Sequence, residues 1–347
     1  MGLSAKDIAK TLNLSPSAVS IALNNKPGVS DETRRLVLEF AEQHGYSRYI
    51  RKQKNSAESF IQFIIYKKHG SIVGDTPFFS RLSEGISGQT GLRGYKLQIS
   101  YFYESQSFSD QLNTLKNANI EGIILLATEM NPADIKKFRA LNIPIVVLDS
   151  YFEDEMFDCV VINNVQGAYL ATMHLIEKGH RRIGHLCSNV EINNFRERRD
   201  GFIRAINKCS ELNIESETIL IEPTYEGAYL NMTEYLEAHN SILPTAFFAD
   251  NDIIATSCLR ALKDKKYKLP QDISIIGFDD IPVCEMTRPA LSTMSVPKKE
   301  LGILAVDRLV SLITGEAKET VKIEVGTTLI ERSSVCDYHE MSLHKVH

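Results

Sequence analysis

At 347 residues, 43% hydrophobic and 24% charged, the chain is too long for one ordinary domain and has the composition of a soluble globular protein. Its apolar runs fall short of the roughly 20 residues a membrane span needs, and its start lacks the basic-then-apolar order of a secretory signal, so a cytoplasmic location is expected. The net charge of −5 looks wrong for a nucleic-acid binder until it is divided by region: residues 1–55 hold nine basic groups against five acids, net +4, leaving −9 on the remainder. A basic head on an acidic body is what phosphate attraction localised to one end requires.

The head reads as three short helices. Ser4, followed by Asp7, can cap a helix over residues 5–12, its side-chain oxygen accepting an otherwise orphan amide; Ile8, Ala9 and Leu12 share one face of it. After Asn13-Leu14, Ser15 stands at an N-cap with Pro16 at the first helical position, where a missing amide proton costs nothing. Val19, Ala22 and Leu23 then form an apolar stripe at helical spacing, while Ser17, Ser20, Ile21 and Asn24 face the other way. Lys26-Pro27-Gly28 breaks this helix and Ser30 caps a third, whose buried side is read as Leu36, Val37, Phe40 and Ala41 and which Gly45 ends. Two short helices in tandem, the second small and polar on its outer face, suit insertion into the major groove; a generic three-helix cap has the same pattern.

The stretch DIAKTLNLSPSAVSIALNNKPGVSDETRRLVLEFAEQHGY resembles the headpiece of the LacI/GalR (lactose/galactose repressor) family continuously over residues 4–46. The D-[IV]-A, S-x-x-x-V-S, L-N, V-S-x-x-T-R and G-Y landmarks are all in register. The resemblance implies that residues 15–24 are a recognition helix with Pro16, Ser17 and Ile21 at its base-reading positions. Ser4, Ser15, Ser20, Asn24, Ser30 and Thr33 are then expected to contact phosphates. The family's usual linker, Y-x-P-N-x-x-A-R-x-L, is altered here to Tyr46-Ser-Arg-Tyr-Ile-Arg-Lys-Gln-Lys-Asn55. Asparagine replaces the leucine that wedges into the minor groove, leaving Tyr49 or Ile50 to take that part and Arg48, Arg51, Lys52 and Lys54 to track phosphates.

From Phe60 onward, short apolar runs alternate with amphipathic stretches. Strands are expected at 60–66, 97–102, 122–127, 145–148 and 160–162, then at 183–187, 218–221, 246–249 and 273–278. Helices are expected between them, among others at 79–92, 165–178, 199–209, 251–265 and 298–314. Uniformly apolar strands alternating with helices indicate parallel sheets covered on both faces. Two such sets in tandem indicate two lobes, with the default ligand site in the cleft beyond the strands' carboxyl ends.

The body resembles the same family through PFFSRLSEGI (77–86), LIEKGHRRIGHL (175–186), RERRDGF (196–202), PTAFFADNDIIA (244–255), DISIIGFDDIP (272–282) and RPALSTMSVP (288–297). The implied fold is an all-α helix-turn-helix headpiece (1–46), a hinge (47–57) and a periplasmic-binding-protein-like α/β body (58–336) of two parallel-sheet lobes, with a tail at 337–347. Crossovers are expected near 162, 290 and 318, which puts 58–161 and 291–317 in lobe one and 162–290 and 318–336 in lobe two.

Within that frame Arg198 of the R-x-x-G-F motif and Asp279 of GFDD match the family's effector-binding arginine and carboxylate, and Asn251 of ADND opens a helix at the cleft. Aspartate accepts from hydroxyls, asparagine donates and accepts, and arginine donates in a fork; together these suit a polyol such as a sugar. Phe78, Phe79 and Tyr225 are candidates to cover a ring's apolar face, the chain having no tryptophan, and Asp149, at a strand end, is a further candidate. Asp252 and Asp280 are read as helix caps, and Arg196 and Arg199 as surface charges.

Neither a metal nor a cofactor is expected: the six cysteines form no CxxC pair, and His174, His180 and His185 have no partner cysteines at zinc spacing. His180 is placed at a helix end, favourable for the dipole. Gly85, Gly88, Gly91 and Gly94 recur every third residue within and after a helix, where helix packing explains them better than a phosphate cradle. The absence of a nucleophile elbow or Ser-Lys arrangement argues against an enzyme.

The resemblance thus implies a homodimeric transcription regulator, of repressor type, that binds a pseudo-palindromic operator under the control of a small-molecule effector. No leucine heptad follows Glu331-Arg332, so a dimer is expected and not a tetramer. Rival readings are a regulator driven by a partner protein, as in the family's catabolite-control branch, and a solute-binding body with an incidental helical head. Many family members carry arginine where Ile21 stands; arginine reads guanine by two hydrogen bonds, whereas isoleucine can only touch a thymine methyl. Binding-site selection from randomised duplexes is expected to return T or A at the base pair facing Ile21, and an invariant G there refutes the reading.

Overall fold

The computed structural model describes residues 5–23, 28–43, 59–68, 70, 72–74, 77–238 and 242–338. Ser4, Asn24, the whole hinge at 47–57 and most of the tail lie outside them.

The head folds as α1 (Ala5–Thr11), α2 (Pro16–Leu23) and α3 (Asp31–Gln43). Asn13 takes a left-handed conformation (φ 54°) in the turn between the first two, and Ser15 Oγ accepts from the Ala18 amide at 3.0 Å. Ser30 Oγ does the same for Thr33 at 3.2 Å. These caps start both helices where orphan amides need a partner. Ile8, Ala9, Val19, Ala22 and Val37 form the small core, with Leu12, Leu14, Val29, Leu38 and Phe40 packed around it. Leu36 does not join it. It is 48% exposed, because one helical step of about 100° turns it away from Val37, and Leu38 serves in its place.

The body is two six-stranded sheets. Lobe one contains β1 (Phe60–Lys67), β2 (Lys96–Tyr103), β3 (Ile120–Leu126), β4 (Ile145–Leu148), β5 (Asp158–Ile162) and β11 (Lys322–Val325), in the order β11-β5-β4-β3-β1-β2. Lobe two contains β6 (Arg182–Ser188), β7 (Glu215–Ile221), β8 (Ala246–Ala249), β9 (Ser274–Asp279), β10 (Ser292–Ser295) and β12 (Thr328–Ile330), in the order β12-β10-β9-β8-β6-β7. Every pairing is parallel except β10 with β12.

The central strands are buried on both faces. Ile61, Phe63 and Ile65 of β1 point into one core, and Ile64 and Tyr66 into the other, which is why these strands read as continuous apolar runs. Edge strands β2 and β7 are instead largely exposed. The covering helices include α4 (Pro77–Leu92), α7 (Asn164–Glu177), α8 (Asn193–Lys208), α9 (Tyr225–Ala238), α10 (Asp252–Asp264) and α12 (Lys298–Ile313). Shorter ones are α5 (Phe108–Lys116), α6 (Pro132–Phe138) and α11 (Val283–Met286).

Two of the three expected crossovers move. The first stays at the junction of β5 and α7. The second falls after β10, near 296, because β10 hydrogen-bonds to β9 in lobe two. The third falls between β11 and β12, near 326, because β11 pairs with β5 in lobe one. Strands as short and polar as Ser292–Ser295 and Lys322–Val325 do not declare their sheet; only their hydrogen-bond partners do.

Helix α12 packs against α4 at two glycines. A Cβ on Gly85 would sit 2.2 Å from the Lys299 carbonyl oxygen, and one on Gly302 2.6 Å from that of Leu82, whereas a Cβ on Gly88 would meet nothing within 4 Å. The regular glycine spacing therefore has a packing cause at Gly85 and none at Gly88. Gly85→Ala is expected to cost about 1–3 kcal/mol of stability through overpacking, while Gly88→Ala is expected to gain about 0.5–1 kcal/mol from helix propensity. Urea unfolding of the two variants side by side checks the difference in sign.

Candidate functional site

Two sites take shape. On the head, Ser15, Pro16, Ser17 and Ser20 are exposed along the first turns of α2, with Ile21 half-buried. The Ser15 and Ser17 hydroxyls pair at 2.9 Å, as do those of Ser30 and Thr33 at 2.8 Å. Ser15, Pro16, Ser17 and Ser20 are thus exposed on and just before α2, and Ser30 and Thr33 stand at the start of α3. A Cβ on Gly28 (φ +132°) would lie 3.5 Å from Ile21 Cδ1, so the turn after α2 flanks that isoleucine.

On the body, the strand ends of both lobes meet in a cleft lined by Phe78, Phe79, Asp149, Arg198, Asn251 and Asp279, all expected from the sequence, together with Thr128, Asn194, Phe195 and four isoleucines. Asp149 follows β4 in a left-handed conformation (φ 65°), and Asp279 ends β9 at φ 111°. Such backbone is rare for non-glycine residues and clusters at functional sites.

Arg198, on α8, is 3% exposed. Its guanidinium donates to Asp279 Oδ1 at 3.1 Å, to the Asp250 carbonyl at 2.5 Å and to Asn164 Oδ1 at 2.9 Å. It also lies 3.8 Å over the Phe278 ring. Asp149 accepts from Thr128 at 2.6 Å within its own lobe and from Asn194 of lobe two at 3.0 Å. Asn193 adds bonds from lobe two to Ser150 Oγ at 2.9 Å and the Tyr151 carbonyl at 2.6 Å. Asn251 caps α10 through its side-chain oxygen, which accepts from Ile254 at 2.9 Å. Phe78 is mostly core yet meets Phe79 edge-on at 5.1 Å. In this closed arrangement the cavity is about 50 Å³, space for a few waters.

Four sequence readings need correction. Tyr225 is 53% exposed and lines a separate groove with Arg260 and Arg288; it heads α9 and points out of the cleft. Among the described residues, Asp252 and Asp280 cap no helix. Asp252 is buried, accepting from Thr293 at 2.6 Å and the Ile281 amide at 3.0 Å, and Asp280 pairs with Arg332 at 2.8 Å. His180 is buried beyond the end of α7, and burial pulls its imidazole down to about 4, so it brings no charge to the helix dipole. Thr128 was legible from the strand-end rule; Asn194, in the first turn of α8, carries no motif to mark it.

Among the described residues, His185, Cys187 and Asp250 bring ligand-type atoms within 4.8 Å of one another. Their geometry is that of a hydrogen-bonded core set: His185 Nε2 and Asp250 Oδ1 are 2.7 Å apart, and Asp250 Oδ2 accepts from the Ser188 amide at 2.7 Å.

Burial pushes up the carboxyls in the cleft and that of Asp252 in the core beyond it. Asp149 rises to about 6 despite the hydroxyl of Thr128 and the charge of Arg198. Asp252 rises to about 7 through burial and the nearby Asp279 charge. Asp279 is also raised by burial, against the pull of Arg198 and Lys298. The Lys298 ammonium donates to the Asp279 carbonyl, to that of Asp280 at 3.2 Å and to that of Val296 at 3.3 Å.

Two family descriptions cover parts of the chain: "Bacterial regulatory proteins, lacI family" over residues 4–49 and "Periplasmic binding protein-like domain" over residues 172–335. The chain is 30% identical over 341 residues to the HTH-type transcriptional repressor PurR of Erwinia tasmaniensis, covering 96% of each. It is 29% identical over 334 residues to the ribose operon repressor of Haemophilus influenzae, covering 95% of this chain and 98% of that one. A solved LacI family transcriptional regulator from Enterococcus faecalis with bound ribose superposes with a TM-score of 0.67 at 28% identity, over 80% of this chain and 99% of that one.

The raised carboxyls have a measurable consequence. Each binds its proton more tightly in the folded chain than in the unfolded one, so the folded state holds more protons between about pH 4 and 7, and its stability falls as pH rises across that window. Asp252→Asn is expected to gain stability relative to the parent protein, on the order of a few kcal/mol, from the acid to the alkaline end of the window. Thermal unfolding of both at a series of pH values tests this; a pH-independent difference between them contradicts it.

Proposed function

Because the chain belongs to the LacI family of bacterial regulatory proteins, and is a transcriptional repressor and not an enzyme, we propose that it binds a pseudo-palindromic operator as a homodimer and is governed by an uncharged sugar of about pentose size held between its lobes. The observation that carries the effector reading is the convergence of Asp149, Arg198, Asn251 and Asp279 with the Phe79 ring in one cleft. Carboxylates and an amide around a fixed guanidinium match the neighbouring hydroxyls of a sugar, and the ring matches its C–H face. A phosphorylated ligand fits less well. Arg198 is already paired with Asp279, and the Lys298 ammonium is tied to three carbonyls, so among the described residues lining the cleft no second cation is free to meet a phosphate. The ribose seen in the Enterococcus faecalis regulator supports the same ligand class.

Operator binding is supported by the exposed face of α2, whose small polar side chains admit close approach to base edges. Dimerisation is supported by the edge strands, where Ile99 and Tyr101 on β2 and Leu220 on β7 are 51%, 47% and 65% exposed. Apolar side chains on unpaired sheet edges call for a partner. A cavity of about 50 Å³ cannot take a sugar ring without parting the lobes. Ligand therefore favours one lobe arrangement, and the operator senses the difference in a coupling of about 1–3 kcal/mol.

Thermal-shift screening of the full chain against pentoses, hexoses, sugar phosphates and nucleobases tests the effector class. A pentose is expected to raise the melting temperature and Asp279→Ala to abolish the rise. Stabilisation by phosphates or nucleobases alone overturns the class, and intact regulation in Asp279→Ala points to a partner protein. Deleting residues 1–57 is expected to remove salt-sensitive binding to any palindrome.

A further inference from the structure

A second cavity, about 490 Å³, lies at the inter-lobe hinge formed by the chain crossovers, distinct from the 47–57 linker, and is of the size ligand sites occupy. None of its lining residues is shared with the effector cleft. Lobe one contributes Tyr151 and, from β11, Lys322 and Glu324; lobe two contributes the start of α7 with Tyr169 and, from α8, Glu197 and Arg204. Helix α8 thus serves both cavities, turning Arg198 into the cleft and its neighbour Glu197 into the hinge.

The charges in this cavity do not cancel locally. Lys322 and Glu324 neutralise each other at 2.7 Å, with the ammonium 3.5 Å over the Tyr151 ring. That leaves Glu197 and Arg204. Glu197 Oε2 accepts from Asn164 Nδ2 at 2.9 Å, and its other oxygen has no hydrogen-bond donor among the described residues. Burial holds its carboxyl above the ordinary range, against the Asn164 hydrogen bond and the charges of Lys322 and Arg198. Arg204 is exposed and has no hydrogen-bond or ion-pair partner among the described residues. The two lie seven positions apart on one face of α8, about 10 Å along its axis.

We propose that the hinge cavity is a second ligand site that takes a free amino acid, its ammonium on Glu197, its carboxylate on Arg204 and its side chain against the tyrosine rings. A plain amine leaves the guanidinium unmatched, and a plain acid meets the half-buried carboxylate unfavourably; a small zwitterion satisfies both. Asn164 links the site to the cleft. This buried amide donates to Glu197 and accepts from Arg198 Nε at 2.9 Å. An ammonium on Glu197 therefore acts on the group that seats Arg198, and by reciprocity the two ligands alter each other's affinity. That coupling rests on the effector reading above; the amino-acid site itself does not.

Isothermal titration of the full-length chain with the standard L-amino acids, followed by the amine and the α-hydroxy acid corresponding to the best binder, tests the proposal. At least one amino acid is expected to bind one per chain, with both counterparts at least about tenfold weaker, the scale of one lost charge-assisted hydrogen bond. Arg204→Gln, at an exposed position, and Glu197→Gln are each expected to weaken it by a similar factor. Arg204→Gln is expected to keep the thermal-shift response to the cleft ligand, so loss of one site is distinguishable from loss of the other. No amino-acid binding at millimolar concentration, a counterpart binding equally well, or binding unchanged in both variants overturns the proposal.

Discussion

The body is organised around a charge that has been taken out of water. Stripping a guanidinium of solvent costs several kcal/mol unless its protons find acceptors in good geometry, and Arg198 finds them on three separate elements: Asp279 at the end of β9, the Asp250 carbonyl at the end of β8, and Asn164 at the start of α7. The Phe278 ring closes the remaining face. One side chain thereby fixes the relative heights of two strand ends and a helix start, and with them the floor of the cleft. The same constraint explains why acidic groups crowd there. Asp149 and Asp279, which line the cleft, are held above their ordinary range by burial, as is Asp252 in the core beyond it.

Much of this was legible in the chain itself, for reasons that differ by residue. The inner strands are apolar on both faces because both faces are covered, so Ile61–Tyr66 and Ile145–Leu148 announce themselves. Serine caps and a proline-led first turn mark the head helices with similar clarity. Arg198, Asn251 and Asp279 could be named because a motif and a strand-end or helix-start position coincide at each.

Where no local pattern distinguishes the alternatives, the reading failed. Tyr225 has the right chemistry for a sugar platform, but nothing local says which way the start of a helix faces. Leu36 and Val37 are equally apolar neighbours, and one helical step decides which is buried. The short strands β10 and β11 carry too few apolar residues to reveal their sheet, so two lobe boundaries were displaced. Asn194 becomes a cleft residue only because Asp149 of the other lobe stands opposite it, a relation absent from either segment alone.

The facing glycines of α4 and α12 bear on how the lobes can move. Helix α12 starts at Lys298, whose ammonium grips the carbonyl oxygens of Asp279 and Asp280 at the far side of the cleft, and α4 starts with the aromatic pair Phe78 and Phe79 above it. With backbone pressed on backbone at Gly85 and Gly302, these two helices have no cushion of side chains along which to slide. A tug on the lysine anchor must then carry the aromatic cover with it, as a lever moves the lid fixed to its other arm.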